Sequence, residues 1–127
     1  MKRFLYPFVA LLTIASLMMY SNCATTPEPT NLEQIKLLTP VFSATDVPLT
    51  VEFTWELVND SGGNFYEYDL YLDDHAPPTT MVATHLSIAS HYQTLQPSTH
   101  YTWKVVGTDY SNGKSLESVE FQFISGE

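Results

Sequence analysis

From residue 35 onward, apolar and polar side chains alternate in short runs separated by turn residues. No stretch keeps a 3.6-residue period, so strands are the expected elements and helix is minor. The clearest run is 49–57, where Leu49, Val51, Phe53, Trp55 and Leu57 share one face and Thr50, Glu52, Thr54 and Glu56 the other. That is the pattern of a strand with one buried and one wet side. Residues 66–73 repeat it, with Tyr68, Leu70 and Leu72 inward and Glu67, Asp69, Tyr71 and Asp73 outward. In 100–108 the inward set is Tyr101, Trp103 and Val105; in 118–125 it is Val119, Phe121 and Phe123. Weaker strands are expected at 35–39, stopped by Pro40, at 81–86 as an edge, and at 88–94. Loop residues fill 59–64, Pro77 and Pro78 break the chain after Asp74, and Asn112-Gly113 signals a hairpin. About seven short strands at regular spacing predict an all-β, antiparallel, seven-strand sandwich over 35–127.

The N-terminal third obeys other rules. Lys2 and Arg3 precede an uncharged, mostly apolar run over 4–20. This is the layout of a secretory signal. The run is short for a membrane span, and Pro7, Thr13 and Ser16 weaken that alternative further. Cys23, the sole cysteine, follows directly. The expected organisation is a signal peptide over 1–22, Cys23 with a flexible linker over 23–34, and one domain over 35–127. Pro27, Pro29 and the threonines keep the linker extended. It would hold the domain roughly 25–35 Å from a bilayer.

Charge and cysteine count narrow the partners. The whole chain carries −9; two of its five basic residues lie in the signal, leaving three against fourteen acids in the rest. So acidic a surface repels phosphate backbones, and nucleic acid is not an expected partner. A single cysteine allows neither an internal disulfide nor a multi-cysteine zinc site.

Two resemblances sharpen this outline. Tyr20-Ser21-Asn22-Cys23, after its apolar run, resembles a bacterial lipobox. The resemblance implies acylation of Cys23, which becomes the new N-terminus. Two or three acyl chains would anchor the protein stably in the bacterial cell envelope, with the outer membrane the expected site. Separately, Leu95-Gln96-Pro97-Ser98-Thr99-His100-Tyr101-Thr102-Trp103-Lys104-Val105 resembles the fibronectin type III signature, in Leu95, Pro97 and Tyr101. Trp55 stands where that family places its second-strand tryptophan, and Tyr68-Asp69-Leu70-Tyr71-Leu72 resembles its third strand. The resemblance implies an immunoglobulin-like (fibronectin type III-like) sandwich with Trp55, Leu95, Tyr101 and Trp103 in its structural core. It is nearly silent on function, because such sandwiches host many roles.

Catalytic chemistry is not expected. His75, His85, His91 and His100 show no metal-ligand spacing. Asp73 and Asp74, adjacent at a strand end, should point opposite ways rather than act as a pair. Asn59, Asp60, Asn64, Asp109 and Asn112 could gather oxygens at one end, but turn chemistry explains them equally. Neither a nucleophile elbow nor a phosphate-binding glycine loop is present. No enzyme, cofactor or metal is therefore expected.

The expected working surface is the outer face of the sheet built from 66–73, 100–108 and 118–125. It combines Tyr71, Val106 and Ile124 with Lys104 and flanking acids. An exposed ring with polar neighbours suits a protein or a sugar. The expected function is a membrane-anchored, protein-binding module for adhesion or envelope assembly, with a glycan-binding accessory lipoprotein as the alternative.

Overall fold

The computed structural model describes residues 32–60 and 65–127. The signal segment, Cys23 and most of the linker lie outside the described residues. Nine strands follow in chain order: β1 (Gln34–Thr39), β2 (Ala44–Val47), β3 (Thr50–Val58), β4 (Tyr66–Asp73), β5 (Met81–Leu86), β6 (Ser90–Thr94), β7 (His100–Asp109), β8 (Lys114–Glu117) and β9 (Phe121–Ser125). They build two sheets, β1-β3-β6 and β2-β9-β7-β4-β5, with β8 paired to β7. The result is an all-β sandwich of two sheets, as expected.

Period-2 alternation carries into burial. β4 alternates buried and half-buried residues along its whole length, and it pairs with β7 without a bulge from Tyr66↔Asp109 to Asp73↔Thr102. The inner faces of both sheets meet on Phe53, Trp103 and Phe123, all fully buried. Phe53 sets its ring edge-on to Trp103 at 4.9 Å and to Phe123 at 5.9 Å, while Trp55 meets Tyr68 edge-on at 5.5 Å. Aromatic pairs prefer such tilted contacts because the positive ring edge faces the negative ring plane. Gly107 is buried near the C-terminal end of β7, where a Cβ would sit 3.0 Å from Cδ1 of Ile35. The missing side chain lets β1 close onto the second sheet.

Several expectations are corrected. Among the described residues nine strands stand where about seven were expected, and the sheets are not wholly antiparallel. β2, which has no apolar alternation, runs parallel to β9. It follows a crossing from the first sheet in which Ser43 takes a left-handed φ of 63°. The expected strand over 118–125 is interrupted. Ser118 N–H donates to the Val105 carbonyl, and Ser118 Oγ accepts the Val105 N–H. A side chain thus replaces one rung of the ladder, and the register shifts. Val119, expected inside, is 66% exposed, while Phe123 stays in the core. Gln34 pairs with Val58, and the Leu32 carbonyl accepts from Asn59 Nδ2 at 3.1 Å.

Candidate binding surface

The four surface residues read from alternation do not form one patch. Tyr71 and Lys104 are direct cross-strand partners, and the Lys104 ammonium lies 5.4 Å from the centroid of the Tyr71 ring. The same ammonium pairs with Glu117 Oε1 at 2.7 Å. The centre of this face is thus closed on itself. Val106 sits between Asp69 of β4 and Glu117 of β8. Ile124 pairs with His100, four residues along β7 from Lys104, or about 14 Å at 3.4 Å per residue. There it lines a separate shallow hollow of about 140 Å³ with Ser43, Ala44 and Phe123.

Trp55, Leu95 and Trp103 lie in the core. Tyr101 is only half-buried, its ring stacked on Phe123 at 5.5 Å. Its hydroxyl accepts the backbone N–H of Gln96 at 2.9 Å. Around it, Ser125 Oγ accepts from the Thr99 N–H and donates to the Gln96 carbonyl, and the Ser98 N–H donates to the Gly126 carbonyl. The end of the sandwich between β6 and β7 is therefore stitched by hydrogen bonds.

Asp73, Asp74 and His75 depart from expectation. The chain bends after β4, so their ligand atoms come within 4.8 Å of one another instead of diverging. Asp73 Oδ2, however, already accepts the N–H groups of Thr79 and Thr80 at 2.5 and 2.6 Å. Burial alone would raise the Asp73 carboxyl. The bonds from Thr80 and Thr79 and the nearby His75 outweigh it and hold it below its ordinary value. This carboxylate is a loop clasp. The oxygen-rich loop residues also close local turns. Asp109 Oδ1 accepts from Ser111, and Asn112 Oδ1 accepts from Lys114 N–H. Asn64 is outside the described residues.

The opposite end, where the chain enters the domain, differs in character. Four large apolar side chains protrude there from separate segments: Leu32 (69% exposed), Phe65 (82%), Ile88 (64%) and Tyr110 (60%). All four lie outside the strands, Ile88 included, since the strand expected from residue 88 begins at Ser90. Beside Phe65, a cleft of about 310 Å³ opens between the sheets, lined by Leu57, Asp60, Phe65, Tyr66, Tyr68, Ser87 and Ala89.

The walls of this end are fixed. The Tyr66 hydroxyl donates to Glu33 Oε2 at 2.9 Å, and Lys114 closes on the same oxygen. The Glu33 side chain is only 7% exposed. Burial, then the Glu33 carboxylate, raises the Tyr66 phenol. Burial, then the charge of Asp60, raises that of Tyr68. Tyr110 stacks on His85 at 5.8 Å, and His85 Nδ1 hydrogen-bonds Glu67 Oε2 at 2.8 Å. His85 N–H and Thr84 Oγ1 both donate to Asp69. Tyr66 and Tyr110 are thereby held by charged and hydrogen-bonded neighbours.

No family model matches the chain, and no curated protein matches it. Among solved structures it is similar to an Fn3-like protein from Clostridium thermocellum, with 19% identity over 76% of this chain and 90% of the other, at a TM-score of 0.49. It is also similar to part of a Streptomyces avermitilis α-L-rhamnosidase crystallised with L-rhamnose. There the identity is 14%, over 72% of this chain and 10% of the enzyme, at a TM-score of 0.49.

Proposed function

We propose that this protein is a non-catalytic, membrane-displayed binding module. Lipid on Cys23 tethers it, and the chain-entry end of its sandwich holds a protein partner in the bacterial envelope. The observation that carries this reading is that Leu32, Phe65, Ile88 and Tyr110, all strongly exposed, extend from the strand ends at the chain-entry end, with Phe65 lining the cleft there. Scattered exposed apolar residues are ordinary, but a cluster rimmed by polar groups marks an interaction site. Aromatic residues at its centre suit a protein interface. Because the chain enters the domain at this same end, a partner in the same membrane is within reach of the tether.

The test is site-specific photocrosslinking in cells of the organism of origin. A photoreactive residue at Ile88 or Tyr110 should capture one defined envelope protein. The same probe at Tyr92, on the far edge of the first sheet, should not. Equal capture from all three positions, or a glycan-array hit lost with Tyr71→Ala, would overturn the proposal.

A further inference from the structure

We infer that the cleft at the chain-entry end takes a lysine side chain of the partner, with Asp60 receiving its ammonium. The inference rests on the binding role proposed for this end and names the chemistry that the partner must offer.

Size comes first. A cleft of about 310 Å³ lies at the small end of the range for ligand pockets. It is large enough to admit one amino-acid side chain. The shape of the lining matters next. Tyr66 and Tyr68 are almost fully buried, so they are walls and not the open platforms on which sugar rings stack. Leu57 and Ala89 add apolar surface between them. A four-methylene stem packs well in such a slot while its charged head stays at the mouth.

Charge then selects the head group. Among the lining residues Asp60 is the only ionisable acid, and Phe65, Tyr66 and Tyr68 surround the same space. The Asp60 carboxylate acts on the Tyr68 phenol, so its negative charge reaches into the cleft. Aromatic rings with a carboxylate attract an ammonium through the ring quadrupole and through direct Coulomb force. Ser87 supplies a further hydroxyl acceptor. An ammonium, a compact point charge with three donors, is satisfied by one carboxylate and one hydroxyl. The wider field points the same way: outside the signal segment the chain has fourteen acids and three basic residues, which favours approach of a basic partner surface.

The experiment uses the full chain in a nonionic polyoxyethylene detergent and follows amide and aromatic NMR shifts. The probes are Nα-acetyl-lysine methylamide and its norleucine counterpart, which keeps the stem and lacks the ammonium. The lysine compound is expected to shift Leu57, Tyr68 and Ala89 and to bind at least about tenfold more tightly, a difference of about 1.4 kcal/mol. Asp60→Asn, at an exposed position, should bring the ratio close to one. Tyr71→Ala should leave the ratio unchanged. Equal binding of both compounds, absence of shifts in the cleft, or preferential shifts with a monosaccharide panel would overturn the inference. Photocrosslinking through Ile88 separates the two proposals. Capture that survives in a chain whose cleft ignores lysine keeps the binding end and sinks the lysine pocket. Loss of all capture sinks the binding end.

Discussion

The Tyr101 hydroxyl accepts the backbone N–H of Gln96 at 2.9 Å, five residues upstream. One phenol thus fixes the crossing from β6 in the first sheet to β7 in the second, while its ring covers Phe123. Removing only the hydroxyl, in Tyr101→Phe, should cost about 1 kcal/mol. For a domain of this size that lowers the melting temperature by about 4–8 °C. Tyr101→Ala also loses the ring and should cost about 3 kcal/mol, the low end for a large aromatic because this one is half-buried. Thermal melts of a soluble form starting at residue 24 measure both. A Phe variant as unstable as the Ala variant would show that the hydroxyl, not the ring, dominates.

Gly107 should tolerate no side chain. An added methyl would stand 3.0 Å from Ile35 and 3.3 Å from both Tyr66 and Tyr68. Overpacking of this kind costs about 1–3 kcal/mol. Gly107→Ala should therefore melt lower in the same soluble form, and Ile35→Val in addition should restore part of the loss. An unchanged melt for Gly107→Ala would mean that β1 can move away from β7 freely.

The His85–Glu67 contact should respond to pH. The hydrogen bond to Glu67 raises the imidazole above its ordinary 6.5, with the charges of Glu67 and Asp69 adding to it and solvent loss opposing. A raised folded value means that the contact stabilises fully below the ordinary value and that this contribution fades as pH rises through the folded one. An NMR titration of His85 should give a midpoint above 6.5, and Glu67→Gln should bring it back down. Because Tyr110 stacks on His85, its ring signals should move with the same midpoint. A midpoint at or below the ordinary value in the unmodified chain would remove the contact.

Lipidation at Cys23 has a direct assay. A clickable palmitate analogue supplied to cells should label the natural chain and not Cys23→Ser, and the variant should leave the membrane fraction. Equal labelling of the two would end the anchor proposal and leave the binding module untethered.

Much of the fold was legible because period-2 alternation is a local property. Residues 66–73 and 81–86 could be bounded as strands from side-chain order alone, and they emerge as β4 and β5 with those bounds. The Leu95, Pro97 and Tyr101 spacing likewise located the corner before any contact was known. β2 and the break at Ser118 were not legible. β2 has no alternating face, and it exists because β9 offers an unpaired edge. The Ser118 break depends on a hydroxyl standing in for a backbone group of a strand thirteen residues away.

The sequence by itself determined the general pattern of the molecule: an apolar run followed by one cysteine, an acidic remainder, and strands whose inner faces carry Phe53, Trp55, Trp103 and Phe123. Tertiary structure alone decided which exposed side chains are paired off and which are brought to one end. Alternation offered Tyr71 and Lys104 as a free face, but pairing across β4 and β7 turned them toward each other and toward Glu117. Leu32, Phe65, Ile88 and Tyr110 sit in four segments with no shared periodicity, and they meet at one end only because the strands between them are folded back and forth. A repeat along the chain reports which face of a strand is buried; it carries no information on which loops converge, since that is set by the order in which strands pair.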